Sequence, residues 1–197
     1  MSDLLTDASL VDKAIEFATR AHSGQTRKGG SLPYIVHPME AMAIVASVTS
    51  DPELLAAAAL HDVVEDTPYT LSDIRAEFGP RVAELVKAET EVKIGGGSAE
   101  EAWVRRRQGT LDRLAAASRD AKIVALGDKL SNMRAIQRDY EVVGDELWER
   151  FTVHDRDLHS WHYWGLVESL SEISDVHPYR EFEFLVNLVW PRDGDKS

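Results

Sequence analysis

Asp51-Pro52-Glu53-Leu54-Leu55-Ala56-Ala57-Ala58-Ala59-Leu60-His61-Asp62-Val63-Val64-Glu65-Asp66-Thr67 opens with a capping aspartate and a proline suited to a first helical position. The apolar residues that follow predict a helix from Leu54 to Val64. Inside it an imidazole and a carboxylate stand side by side, at His61 and Asp62. If the segment is helical throughout, Glu65 lies four residues after His61 and Asp66 four after Asp62, which gives two adjoining stripes a second acidic group one turn on. The dipeptide alone fixes no function, since a helix histidine is often simply hydrogen-bonded in place.

Outward from this stretch, helical signals dominate. Leu10, Ala14, Phe17, Ala18 and Ala21 recur at spacings of three and four after Ser9, which with Asp12 reads as a capping pair. Thr70 to Phe78 predicts a short helix stopped by Gly79-Pro80, and Arg81 to Glu91 another. Ile94-Gly95-Gly96-Gly97 breaks the pattern as a candidate mobile loop, and Ser98 with Glu101 then predicts a capped helix reaching about Ser118. Asp120 to Arg138, Asp155 to Ser174 and Pro178 to Val189 complete the set, while strand alternation is hardly seen. The expectation is an all-α fold of about eight to ten helices with the site residues carried on loops. A single domain over residues 1–197 is expected, with frayed ends before Asp7 and after Pro191.

Composition narrows the chemistry. With 197 residues, 44% of them hydrophobic, the chain can bury one substantial core. It lacks an apolar run long enough to span a bilayer and a secretory-type start, so a soluble, cytoplasmic protein is expected. There is no cysteine, so any metal must be held by His, Asp and Glu, which favours a harder, octahedral ion. The formal charge of -12 opposes non-specific binding to nucleic acid or anionic membranes. An anionic substrate remains compatible where positive charge is local, as at Arg27-Lys28.

Two further positions stand out. His37 lies between Val36 and Pro38, and the proline biases it toward extended backbone, as in a ring presented from a loop. Asp128 follows the apolar run Ile123-Val124-Ala125-Leu126-Gly127; a carboxylate buried there needs a cation, supplied by Lys129, by a surface arginine or by a metal.

His37, His61-Asp62 and Asp128 together resemble the H…HD…D pattern of the HD-domain phosphohydrolases. Ala21 to Lys28, Pro33-Tyr34-Ile35-Val36-His37-Pro38, His61 to Thr67, Phe78-Gly79-Pro80-Arg81-Val82 and Gly127 to Arg134 further resemble, in order, the motifs of the (p)ppGpp hydrolase domain of RelA/SpoT homologues. The length is similar to that of a stand-alone small alarmone hydrolase. The resemblance implies that His37, His61, Asp62 and Asp128 hold one Mn²⁺, although the ligand types alone suit other first-row divalent ions. It implies that Glu65 and Asp66 orient and help deprotonate the attacking water, and that Arg27, Lys28 and Asn132 meet the nucleotide, with Arg156 as a further substrate-contacting arginine. Ser131 departs from the family, where many long members have histidine. Trp161, His162, Tyr163 and Trp164 are consecutive on a helix and must face different directions, so most belong to the core or an interface. Arg105-Arg106-Arg107 after Trp103 could approach a phosphate from the segment after the glycine break, but reads first as a solvated helix face.

The expected reaction is metal-dependent hydrolysis of the 3′-diphosphate of (p)ppGpp to GDP or GTP and pyrophosphate. Its rivals are an HD-type phosphatase acting on another nucleotide such as NADPH, and a catalytically silent nucleotide-binding helical module.

Overall fold

The computed structural model describes residues 2–27 (the first eight as backbone), 31–90 and 96–192. Ten α-helices run through them: α1 Ser2–Ala21, α2 Val36–Ala46, α3 Pro52–Leu60, α4 Val63–Asp66, α5 Leu71–Phe78, α6 Pro80–Glu89, α7 Ala99–Ala115, α8 Arg119–Val143, α9 Arg156–Ser169 and α10 His177–Val189. Short 3-10 turns occupy Gly144–Arg150 and Ser171–Ile173. The only β pairing among the described residues is one antiparallel bridge between Thr26 and Pro33. The fold is all-α, as the periodicity predicts.

Helix α3 is the buried centre of one half. Ala56 to Leu60 are fully buried, and a helix apolar on every side can be packed on every side. It contacts α1, α2, α6 and α8. Its start is fixed by Asp51, whose side chain accepts from the Glu53 amide at 3.0 Å, with Pro52 at the first position. Helix α8 is the second axis, packed against α2, α3 and α10. One hydrophobic cluster joins Phe17, Val45, Leu54, Leu60, Val86, Leu126, Met133, Leu166 and Phe182 from these elements.

The crossing of α8 over α2 is close because of Gly127. A Cβ there would lie 2.7 Å from the Ala41 carbonyl oxygen and 2.9 Å from Val45 Cγ2. Removing that atom lets the two backbones meet and brings Asp128 to the helix that carries His37.

Several expectations need correction. The helix predicted from Leu54 to Val64 ends at Leu60, and α4 restarts at Val63. The His61 ring is part of the reason: Nδ1 donates to the Ala58 carbonyl at 2.7 Å, satisfying one of the acceptors left open at a helix C-terminus. The Asp66 amide still bonds the Asp62 carbonyl at 2.9 Å, so the four-residue step from Asp62 to Asp66 survives the break. The site residues are only partly loop-borne: Arg27 lies in irregular backbone and His61-Asp62 in a turn, but His37 and Asp128 are helical. His37 is the second residue of α2, whose first turn has no intrahelical use for the Pro38 N–H, so the proline fits inside the helix rather than holding it extended. Asp128 lies within α8. The first helix starts at Ser2 rather than at a Ser9 cap. The helix from Asp120 runs on to Val143 and stops at Gly144 with φ +58°, and the segment to Ser174 is α9 followed by a 3-10 turn.

The Ser98–Glu101 capping box forms, with bonds of 2.9 and 3.1 Å. Ile94, Gly95, Glu91 and Lys28 lie outside the described residues, as do 193–197. Among the described residues no helix is long and apolar enough to cross a membrane.

Candidate metal centre

Three segments aim side chains at one point. His61 and Asp62 come from the turn between α3 and α4, His37 from the first turn of α2, and Asp128 from the middle of α8. His37 Nε2 lies 3.0 Å from Asp128 Oδ1 and 3.5 Å from Asp62 Oδ2. His61 Nε2 lies 3.0 Å from Asp62 Oδ2 and 3.6 Å from Asp128 Oδ1. The two Nε2 atoms are 3.3 Å apart. Bonds of about 2.1 Å to a common ion place neighbouring donors about 3.0 Å apart at right angles and about 3.4 Å apart at tetrahedral angles. The five separations are therefore of the size a shared ion requires; the donor atoms of the buried His37, His61 and Asp128 all lie within 4.8 Å of one another, and Asp62 stands beside that group.

The outer nitrogens strengthen that fit. His61 Nδ1 donates to Ala58 O, and His37 Nδ1 is 2.8 Å from Ser131 Oγ. With both Nδ1 atoms engaged outward, both Nε2 atoms face the same space, which calls for a proton or a cation between them.

The electrostatics agree. Burial works against the His61 cation, but the charges and hydrogen bonds of Asp62 and Asp128 lift its pKa well above the usual imidazole range. Burial likewise pushes the Asp62 carboxyl up, yet the neighbouring His61 brings it down to about 2. Asp128 has burial against it too and is held well below the carboxylate range, first by the Lys129 ammonium and then by the two histidines. A site that attracts a proton this strongly attracts a divalent ion by the same field.

Asp128 divides its two oxygens. Oδ2 pairs with Lys129, whose ammonium also reaches Glu89 at 3.2 Å, while Oδ1 faces the histidines and accepts from Asn132 Nδ2 at 2.6 Å. Both sources of charge named for Asp128 thus have a place here: Lys129 on one oxygen and room for an ion on the other. Asn132 Oδ1 in turn accepts from Arg27 at 2.9 Å. Asn132 therefore ties Arg27 to Asp128 with both ends of its amide.

A cavity of about 1090 Å³ opens over these groups. Arg27, His37, His61, Asp62, Glu65, Asp66, Asp128 and Asn132 all line it. Glu65 and Asp66 are exposed on α4, on the solvent side of Asp62. Arg156 is not brought there: its Nη2 donates to the Val189 carbonyl at 2.9 Å and its guanidinium lies over Tyr140, so it joins α9 to the end of α10. That engagement leaves the expected substrate contact without support.

Sequence reasoning placed neither Tyr34 nor Tyr163 at the site. Tyr34 sends its hydroxyl to Asp62 Oδ2 at 2.6 Å and Asp66 Oδ2 at 2.9 Å, linking a ligand to an acidic helix end. Lys129 and Tyr163 also line the cavity, as does Arg107, against the expectation of a solvated face. The signal for Arg107 was its spacing of four from Trp103, which is buried and over which its guanidinium lies. The aromatic run does diverge: His162 is buried, Tyr163 faces the cavity, and Trp161 and Trp164 line a separate cleft with Gly165 and Arg192.

Residues 14–152 match the family described as HD domain. The chain is 34% identical over 189 residues to a guanosine-3′,5′-bis(diphosphate) 3′-pyrophosphohydrolase of Aquifex aeolicus, covering 92% of this chain and 26% of that protein. It is 38% identical over 130 residues to a GTP pyrophosphokinase of Streptomyces coelicolor, covering 64% of this chain and 15% of that one. The chain thus spans 15 to 26% of the length of these curated relatives. A solved metazoan orthologue of SpoT, described as hydrolysing ppGpp with a role in starvation responses, aligns with a TM-score of 0.73 over 91% of this chain and 94% of its own, at 27% identity. The matched span contains His37, His61, Asp62 and Asp128, and this chain belongs to the HD domain family.

Proposed function

We propose that residues 1–197 form one HD domain that acts in the cytoplasm as a metal-dependent hydrolase of (p)ppGpp, releasing pyrophosphate from the 3′ position and leaving GDP or GTP. The observation that carries this reading is the convergence of two imidazoles and two carboxylates on one point at the floor of a nucleotide-sized cavity, beside an acidic helix end and an arginine. The names of the Aquifex and metazoan relatives support the choice of substrate. His37, His61, Asp62 and Asp128 would hold one Mn²⁺, which when bound polarises a phosphate oxygen and makes a coordinated water more acidic.

The chain's own groups supply the remaining steps. Glu65 and Asp66 stand at the cavity wall to orient the water and accept its proton, an effect of roughly 10²–10⁴-fold for a well-placed base. The water oxygen attacks the phosphorus next to the ribose, the bond from that phosphorus to the 3′ oxygen breaks, and the 3′ oxygen takes up the proton given up by the water to become the hydroxyl. Tyr34 holds Asp62 and Asp66 in register through its hydroxyl. Arg27 lies beside the centre with a neutral amide as its partner, so its charge is available to a substrate phosphate, with Lys28 next in sequence. Asn132 keeps Arg27 and Asp128 at a fixed spacing.

Protein supplied with Mn²⁺ should release pyrophosphate from guanosine tetraphosphate, and Glu65→Ala should lower kcat far more than it changes KM. Phosphate release from NADPH with no turnover of the alarmone would overturn the substrate assignment.

A further inference from the structure

The ring of His37 is reached from behind by a chain of groups that runs across three helices. His37 Nδ1 lies 2.8 Å from Ser131 Oγ on α8, and Ser131 Oγ lies 2.8 Å from Glu40 Oε2, one turn along α2 from His37 itself. Ser131 is buried. The other oxygen of Glu40 accepts from Arg134 Nη1 at 3.1 Å. Arg134 grips Glu181 of α10 with its remaining face, Nε to Oε1 at 2.7 Å and Nη2 to Oε2 at 2.9 Å.

The direction of every proton in this chain is determined. A carboxylate paired with arginine accepts and does not donate, so the single hydroxyl proton of Ser131 points at Glu40. The serine oxygen can then only accept from the ring, which places the His37 proton on Nδ1 and the lone pair on Nε2, facing Asp128 and His61.

We propose that Ser131 and Glu40 are positioning residues that set the tautomer and orientation of His37, with Arg134 and Glu181 anchoring the carboxylate. This rests on the reading of His37 as a metal ligand. Outer partners of a ligating histidine commonly change metal affinity about 10–100-fold when removed. Ser131→Ala takes away the acceptor for the Nδ1 proton. Glu40→Gln acts differently. Its amide nitrogen must face either Arg134, donor against donor, or Ser131, which turns the hydroxyl toward His37 and moves the ring proton to Nε2. Ser131→Thr keeps the hydroxyl.

The test is Mn²⁺ titration calorimetry on metal-free protein, alongside thermal unfolding of each metal-free variant and imidazole ¹⁵N shifts of His37 at mildly alkaline pH. Expected are dissociation constants raised about 10–100-fold in Ser131→Ala and Glu40→Gln, near wild type in Ser131→Thr, with an Nδ1–H ring in the wild type and an Nε2–H ring in Glu40→Gln. Folded Ser131→Ala and Glu40→Gln variants that bind Mn²⁺ within about twofold of wild type, against the 10–100-fold expected, would overturn the relay while leaving the metal centre standing. A wild-type ring protonated on Nε2 would overturn it as well, even if Ser131→Ala does not fold. Wild-type protein that binds no Mn²⁺ would overturn the ligand reading and the relay together.

Discussion

Adding one methyl group at Gly127 should loosen the helix crossing on which the candidate centre depends. In an exposed helix, glycine to alanine stabilises by up to about 1 kcal/mol through propensity. At Gly127 the new Cβ would stand 2.7 Å from the Ala41 carbonyl oxygen and 2.9 Å from Val45 Cγ2. The first of these is backbone and cannot rotate away, so α8 and α2 must separate. Overpacking of this kind costs about 1–3 kcal/mol, and the backbone contact puts Gly127→Ala at the upper end of that range. Less the propensity gain, the net loss should be about 1–2 kcal/mol, or a fall of about 2–8 °C in Tm for a chain of this size. Gly109 on α7 provides the control, because a Cβ there meets nothing nearer than Arg113 Nη1 at 3.5 Å. Gly109→Ala should raise stability while the same change at Gly127 lowers it, both measured by urea unfolding. Since His37 and Asp128 face one another across the same crossing, Gly127→Ala should also weaken Mn²⁺ binding. Equal stabilisation by the two substitutions would refute the close-approach argument.

Other consequences follow from the same geometry. Lys129→Met leaves Asp128 Oδ2 and the buried Glu89 without their ammonium, a break worth about 3–5 kcal/mol; chemical unfolding of the metal-free variant measures it, and a loss below about 1 kcal/mol would rule out a weighty ion pair. Tyr34→Phe removes the hydroxyl shared by Asp62 and Asp66 and should lower kcat about tenfold, equal to about 1.4 kcal/mol, with the fold intact; unchanged turnover would count against its role. Burial, and then the charges of Arg107 and Lys129, holds the His162 pKa well below its ordinary 6.5. As pH falls below that value the unfolded ring gains a proton that the folded ring refuses, so stability drops by about 1.4 kcal/mol per pH unit until the folded pKa is reached, and the effect vanishes at higher pH. His162→Phe should flatten that slope in pH-dependent unfolding curves; an identical slope would assign it to other groups.

What the sequence made legible, and what it did not, divides along the range of the interactions involved. The caps at Asp51 and Ser98 and the stop at Gly79-Pro80 are set by neighbours within a turn, and they form where the pattern places them. The His61-Asp62 pair and Asp128 could be picked out as ionisable groups in apolar runs, and the resemblance grouped them with His37. The backbone that presents them differs from the expectation at His37 and after Leu60. A proline after His37 suggested extended geometry, yet in the first turn of a helix the lost N–H is harmless. The run from Leu54 reads as one helix because propensity does not register the side-chain bond from His61 to Ala58 that accompanies its break. Tyr34 with Asp62 and Ser131 with Glu40 are joined across 28 and 91 residues, so only the packed helices bring them together. Arg156 is the converse case: an arginine at a plausible place in sequence bonds the carbonyl of Val189, outside the residues that line the cavity.

The most direct test of the central claim is pyrophosphate release from guanosine tetraphosphate by the wild type and by Asp62→Ala, each assayed with Mn²⁺ and after chelation. Asp62 lies at the meeting point of both histidines and beside the acidic helix end, so its removal strikes the metal and the water together. The account predicts release by the wild type that chelation abolishes and Mn²⁺ restores, and a loss of at least about 10²-fold in a folded Asp62→Ala protein. Retained turnover in that folded variant would contradict it.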